Sequence, residues 1–388
     1  MDTPDHPKRN TAKRIARKVG DILIIFGFLV FLAFPASLAH RVDNTRFTNY
    51  VERRQLSTLP PSLKNRENWS QFPSRAESFI EDRLAGRQQF IRLHAMVEYF
   101  IFHESSRSII FGQDSWMFAS GLTMSAYRGI ARIKENRLKI WEDFLHQRLA
   151  TLEESGSRYL LTVTPRKPPI YPEFLPAVYQ TRKDETPTDT FSRFLQDRLQ
   201  ISLVDSREAL IASKEQEQTF LRTDGHWNDF GAHTGYLEVM KRVEELFPEV
   251  RPFRRGDFQE KIHLIEDGLM ARRSGISELF KEEEVLLEPG DHLPKPATIP
   301  FLPIQDAVFS NRRSRNWTVT EYQDSGGPVV LLLHDSFGEP WRKWMPYNFS
   351  KFVSLRTDNL ASDQQLRVLL EALEPDLVIE QFTKKKKI

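Results

Sequence analysis

Two short segments of the 388-residue chain carry residues whose types and spacing suit acyl chemistry. They are Thr223-Asp224-Gly225-His226-Trp227-Asn228 and His334-Asp335-Ser336-Phe337-Gly338. A serine hydroxyl is inert near neutral pH unless a base takes its proton. His226 is placed in sequence to be that base for Ser336. Asp224 stands two residues before it, and side chains two apart leave the same face of extended backbone, so its carboxylate can hold the other ring nitrogen. Trp227 would wall the imidazole from solvent, and Gly225 would permit the close turn. Each segment also has a bland reading, in which Asp224 caps a helix over a structural His226, and Asp335 or Ser336 is an ordinary N-cap. A metal site would need ligands beyond Asp224 and His226, with His233 the only nearby candidate, and none is expected.

Composition narrows the chemistry further. With no cysteine, disulfide scaffolds, thiolate zinc sites and cysteine nucleophiles are excluded, which leaves serine. Lys and Arg total 55 against 53 Asp and Glu, a formal net charge of +2. With no basic stripe interleaved with aromatics, that balance argues against a nucleic-acid partner. An apolar content of 40% with 28% charged residues is that of a globular chain.

The elements that must position these residues alternate. Arg137 to Glu154 has helical periodicity with Gly156 just beyond its end, and Tyr159 to Thr164 is a buried strand stopped by Pro165. Thr190 to Leu199 is a second helix and Ile201 to Val204 a second strand. A long helix from Phe230 to Phe247 follows, with Asn228 as its N-cap. Val329 to Leu333 and Leu377 to Ile379 are further buried strands, the last preceded by a helix from Ser362 to Leu373. Apolar strands alternating with helices predict an α/β fold, a mostly parallel sheet with helices on both faces. Ser336 then falls at the carboxyl end of a buried strand, where ligand crevices of such sheets form. The helical stretch after it would supply backbone amides to an oxyanion.

The N-terminal part reads differently. Ile22 to Ala39 run eighteen residues without a charge, preceded by Lys8, Arg9, Lys13, Arg14, Arg17 and Lys18. At 1.5 Å per residue the run spans about 27 Å, close to a bilayer's hydrocarbon thickness. It is expected to be an uncleaved transmembrane anchor; the Pro35 to Ala39 region makes a signal peptide the alternative. Residues 1–21 form the basic cytoplasmic tail, so the rest is extracytoplasmic, in the periplasm. Six basic residues against Asp2 and Asp5 give the first twenty residues +4 and leave −2 for the remainder. Residues 40–105 read as a stalk and helical wrap, and residues 106–388 as the catalytic domain. Ser108 to Phe118 suggests a hairpin around Gly112 to Ser115. Residues 251–327 hold six prolines and scattered charges, and read as an insertion decorating one edge. Lys384 to Lys387 read as a solvated tail.

Taken together, Asp224-x-His226-Trp227 and Asp335-Ser336-Phe337 after an apolar strand resemble the AlgJ/AlgX-like, SGNH-hydrolase-like family of exopolysaccharide O-acetylation. Other stretches agree with it: Trp69 with Phe72-Pro73, Asp82-Arg83 with Gly86-Arg87, and Phe111-Gly112-Gln113-Asp114 with Trp116-Met117-Phe118. So do Pro165-x-Lys167, Ile170-Tyr171-Pro172-Glu173 and Leu175-Pro176. The resemblance covers about residues 45–382 and matches the insertion poorly.

The resemblance implies that Ser336 carries an acetyl group as an acyl-enzyme, that His226 acts as base and then acid, and that Asp224 orients His226. No cofactor is implied. Backbone amides around Ser336 would contribute to the oxyanion site, and Lys167, Tyr171 and Trp227 would line the substrate pocket. The acceptor would be an exported polysaccharide, alginate-type in the best-known members, with the acetyl group supplied through a membrane-bound acyltransferase. A carbohydrate acetylesterase with the same triad and a non-catalytic polysaccharide-binding scaffold are the alternatives. Two positions depart from the family pattern. His334 stands where a glycine is usual, which bears on the oxyanion geometry, and the arginine of a Glu-x-x-Arg pattern after Glu380 is absent.

Overall fold

The computed structural model describes residues 17–30, 69–102, 108–181, 185–266, 268–293, 295–299, 317–322, 326–356 and 363–383, with a few positions between 44 and 60. The chain divides into two compact units, one of residues 1–102 with 272–276, the other of residues 103–271 with 277–388.

In the first unit, residues 17–30 are helical with exposed apolar side chains such as Ile24 and Phe26. The expected span of 22–39 lies partly outside the described residues; among those described, no helix is long and apolar enough to cross a membrane. Helices α1 (Phe72–Arg83) and α2 (Arg87–Val97) fall in the segment read as a helical wrap. Asp82 is 1% exposed and accepts hydrogen bonds from Arg54 Nη1 at 2.9 Å and the Ser57 amide at 2.7 Å. The Arg54 guanidinium, more than offsetting burial, holds its carboxyl well below the usual range.

The second unit opens with the hairpin β1 (Ile109–Phe111) and β2 (Met117–Ala119), whose turn places Asp114 and Ser115 at positive φ. There follow α3 (Glu135–Glu154), β3 (Arg158–Thr164), α4 (Pro187–Leu199), β4 (Leu203–Asp205), α5 (Arg207–Ser213) and α6 (Asp229–Leu246). Then come β5 (Phe258–Ile265), β6 (Glu282–Pro289), β7 (Ala297–Thr298), β8 (Trp317–Glu321), β9 (Val329–His334), β10 (Lys351–Arg356), α7 (Asp363–Leu373) and β11 (Leu377–Thr383). Gly156 takes φ 71° just after α3, the left-handed value that ends a helix cheaply only at glycine.

The main sheet has the order β4-β3-β11-β9-β10-β8-β7. The five strands from β4 to β10 are parallel, while β8 and β7 run antiparallel along one edge. The sheet is therefore mixed, not only parallel, and β8 comes from the segment expected merely to decorate an edge. β10 went unforeseen because it follows a proline-containing 3-10 stretch without a strong alternation of its own. Side-chain alternation sorts the core into two faces. Val330, Leu332 and Ile379 pack with Tyr236, Val239 and Met240 of α6, whereas Leu331, Leu333 and Val378 pack with Leu366, Leu369 and Leu370 of α7. On β11, the buried Glu380 accepts from Tyr159 Oη at 3.0 Å and pairs with Arg148 of α3 at 3.9 Å.

Candidate active site

The loop from Thr219 to Asn228 doubles back on itself. The Asn228 amide donates to the Thr219 carbonyl at 3.1 Å, and Phe220 and Trp227 form an isolated antiparallel bridge. Asn228 then caps α6, its Oδ1 accepting from the Gly231 amide at 2.9 Å. A Cβ on Gly231 would come within 2.0 Å of the Thr219 carbonyl, so glycine is what lets the first turn of α6 pack under the loop. At the loop tip, Asp224 Oδ1 accepts from the His226 amide at 3.0 Å and from His226 Nδ1 at 2.7 Å. The pair thus meets through an Asx-type turn, which brings the two side chains closer than extended backbone would. Gly225 does not take positive φ; a Cβ there would meet Met270 Cε at 2.8 Å.

Val329 to His334 of β9 deliver Ser336 to the sheet rim, and His226 Nε2 lies 2.9 Å from Ser336 Oγ. The two segments, 110 residues apart in sequence, form one hydrogen-bonded line from Asp224 through His226 to Ser336. Burial alone would raise the Asp224 pKa. The hydrogen bond and charge of His226, with the Leu269 and His226 amides, outweigh it and hold the carboxyl well below the usual range.

Trp227 does not wall the imidazole. It is 3% exposed and donates from Nε1 to the Phe337 carbonyl at 3.1 Å, tying the histidine loop to the serine turn. Phe337 itself packs on the imidazole, with ring centroids 4.8 Å apart. Lys167 and Tyr171 also lie inside the protein, 1% and 4% exposed. The Tyr171 hydroxyl bonds Thr219 Oγ1 and accepts from the Thr219 amide at 2.8 Å. All three are buried, and through these bonds they brace the histidine loop from behind.

The turn after β9 also differs from expectation. A five-residue 3-10 helix, Glu339–Lys343, follows Ser336, and the Phe337 amide is already spent on Asp335 Oδ1 at 2.8 Å. The Gly338 amide donates to the Asp335 carbonyl at 3.2 Å. That leaves the Ser336 amide without an acceptor in hydrogen-bond range among the described residues. Asp335 is the keystone of the turn. Its Oδ2 accepts from the Thr383 amide and Oγ1 at 2.7 Å each, and its own amide donates to Gln381 Oε1 at 3.0 Å. His334 is fully buried with Nε2 2.8 Å from Ser354 Oγ, and its side chain fills the space beside Gly338. A Cβ on Gly338 would meet His334 Cβ at 2.5 Å and Gln381 Oε1 at 3.1 Å. Gly338→Ala is therefore expected to cost about 1–3 kcal/mol by overpacking, and less in a His334→Gly background. Urea denaturation of the four proteins in that cycle measures the coupling.

Sequence reading missed the support that comes from residues 251–289. The Leu269 amide donates to Asp224 Oδ2 at 3.0 Å, and Glu282 at the start of β6 accepts from the amides of Arg222 and Thr223 at 2.7 and 2.9 Å. A lone glutamate in a charged stretch carries no motif that would have marked it. A cavity of about 140 Å³ opens at the carboxyl ends of β3 and β4, lined by Leu122, Tyr127, Ile133, Arg166 and Pro187 among others. Arg166 donates to Thr383 Oγ1 at 3.0 Å and lies 5.5 Å from the Phe337 ring, so this wall reaches the serine turn.

The largely parallel α/β sheet, with a serine at the carboxyl end of a central strand, is consistent with an SGNH-hydrolase-like fold. Residues 109–289 match the family model described as the SGNH hydrolase-like domain of the acetyltransferase AlgX, so this part of the chain is similar to that domain. The matched stretch contains Asp224 and His226 and ends before Ser336. Among curated relatives, the chain is similar to "Probable alginate O-acetylase AlgJ" of Pseudomonas syringae pv. tomato. The two are 25% identical over 175 residues, which cover 45% of this chain and 43% of that one. The protein of the same name from Pseudomonas aeruginosa is 28% identical over 159 residues, covering 39% and 37% respectively. The matches thus span less than half of those relatives. In fold, the chain is similar to Bacillus cereus PatB1 with a TM-score of 0.52 at 14% identity, covering 71% of this chain and 95% of that one.

Proposed function

We propose that this protein is a serine-dependent O-acetyltransferase that acts on an exported polysaccharide. The observation that carries the reading is the unbroken line from Asp224 Oδ1 through His226 to Ser336 Oγ, with both contacts at hydrogen-bond distance. The Ser336 oxygen attacks the acetyl carbonyl of the donor while its proton passes to His226 Nε2. The tetrahedral adduct collapses, the donor's leaving oxygen takes that proton, and an acetyl-Ser336 ester remains. A sugar hydroxyl then gives its proton to His226 and attacks the ester carbonyl, which returns the proton to Ser336 and releases the acetylated sugar. The unbonded Ser336 amide is positioned to donate to the oxyanion in both halves. No cofactor takes part.

The similarity to proteins named alginate O-acetylases supports acetyl transfer over other acyl chemistry. In this reading the acetyl group arrives through a membrane-bound acyltransferase, as the family resemblance implies. The uncharged run from Ile22 to Ala39 behind six basic residues supports a single-pass anchor that holds the site in the periplasm. Full-length chain that stays in the membrane after an alkaline wash tests the anchor; release of a shortened chain would overturn it. For the activity, purified chain is given an activated acetate ester with and without oligosaccharide. Acetylated sugar formed at the expense of free acetate is the expected outcome, whereas acetate alone would mark an acetylesterase. No turnover and no Ser336 adduct would leave a polysaccharide-binding scaffold.

A further inference from the structure

The backbone immediately before Asp224 is held more completely than a surface loop requires. The amides of Arg222 and Thr223 donate to Glu282, which is 4% exposed and also accepts from Thr223 Oγ1. The Arg222 carbonyl accepts from Lys167 Nζ at 2.9 Å and from the Met117 amide at 2.9 Å. The Thr223 carbonyl accepts from the amides of Met270 and Ala271 at 2.9 and 3.1 Å. Every backbone polar atom of these two residues is therefore bonded, a carbonyl to a buried cation and both amides to a buried anion.

Lys167 is an expensive way to satisfy a carbonyl. Its ammonium is 1% exposed, donates a second bond to the Met117 carbonyl at 2.8 Å and sits 5.4 and 5.6 Å from the Trp116 and Phe118 rings. Burial pushes its pKa down to about 7, against the pull of Asp224 and Glu282. An uncharged donor would bond the same carbonyls without that cost. The ammonium does something a neutral donor would not: its charge acts on two carboxylates, Glu282 and Asp224, the latter the acid of the proposed triad. The groups that bear on the clamp are Asp224, Glu282, Arg222 (Nε 3.7 Å from Glu282) and Glu284, whose pKa burial raises to about 7.

We propose that Lys167 and Glu282 are an opposed-charge clamp of positioning residues, which fixes the Arg222–Thr223 backbone and sets the local charge felt by the Asp224–His226 pair. The inference rests on the serine reading of the site. Neither residue touches substrate. Their effect runs through Asp224, so losing one should slow the chemical step and leave binding alone.

The test is the rate at which a sulfonyl fluoride modifies Ser336 in the full chain, followed across pH and reagent concentration for wild type, Lys167→Met and Glu282→Gln. Each variant is expected to lower the limiting rate by about ten- to hundredfold through misplacement, with half-saturation little changed. Removing the cation favours a protonated imidazole, so the acidic limb of the profile moves to higher pH in Lys167→Met. Removing the anion moves it to lower pH in Glu282→Gln. Limbs that move the same way in both variants, or rates equal to wild type, would overturn the clamp. If Lys167→Met does not fold, Lys167→Arg, which keeps the charge, takes its place. Its limb is expected to stay at the wild-type pH, opposite in outcome to Glu282→Gln, and a shift matching Glu282→Gln would overturn the clamp. Ser336→Ala serves as control: if it reacts as fast as wild type, the serine reading fails. If it is inert while the clamp variants behave as wild type, only the clamp fails.

Discussion

Ser336→Ala is expected to remain folded and to lose about four to six orders of magnitude in acetyl turnover. Members of a nucleophile–base–acid set act as a unit, so removing the nucleophile forfeits nearly all they do together. The fold should be indifferent, because Ser336 is only half-buried and its one hydrogen bond among the described residues runs to His226. Deleting such a bond costs about 1 kcal/mol, and alanine fits the space. Two measurements check the pair of statements. Thermal denaturation should shift by no more than a few degrees for a chain of this size. Intact mass after brief exposure to an activated acetate should show an acetyl adduct on wild type and none on the variant. Unchanged turnover in Ser336→Ala would falsify the serine mechanism, and a surviving adduct would place the nucleophile elsewhere.

The proposed triad is legible in the amino-acid sequence because three facts converge on few residues. Asp224 and His226 stand two positions apart, Ser336 follows an apolar run that reads as a buried strand, and no cysteine competes as nucleophile. The major helices and four of the five parallel strands are legible for a related reason. Runs such as Val329 to Leu333 have no polar face and so must be covered on both sides. What escapes is whatever depends on long-range approach. β10 and the antiparallel β8 carry no strong local signal, and β8 finds its place only by pairing with β10. Lys167, Tyr171 and Trp227 read as pocket residues because a motif marks importance without marking direction, yet their side chains turn inward to brace the loop. Glu282 and the Leu269 amide are invisible in sequence, since a charged stretch reveals nothing about which of its members will be buried. The same limit applies at the serine turn. That Asp335 occupies the Phe337 amide follows from the chain's course at β11, where Thr383 and Gln381 meet it.

Asp224→Asn should be the second most damaging change, lowering turnover by about four orders of magnitude while His226 and Ser336 stay in place. The carboxylate does two jobs through Oδ1. In the proposed mechanism it holds the proton on Nδ1, so that Nε2 is the basic atom 2.9 Å from Ser336 Oγ, and it stabilises the positive ring once the serine proton is taken. An amide in its place can turn its NH₂ towards Nδ1, which puts the proton on Nε2, and it carries no charge to stabilise the cation. Asp224 also has a signature in stability. Its pKa is depressed in the folded state relative to the unfolded value near 4, so the sign is fixed. The stabilisation is full above about pH 4 to 5 and disappears as pH falls through the depressed value. Wild type should thus exceed Asp224→Asn in urea midpoint at pH 7 and lose that margin in acid. Oδ2 separates the two roles, because an asparagine oxygen can still accept from the Leu269 amide at that position while the charge is gone. A variant that kept its acid-sensitive margin would show that the carboxylate responsible lies elsewhere. One that lost the margin but kept turnover would leave Asp224 as a brace for the loop and remove it from the chemistry.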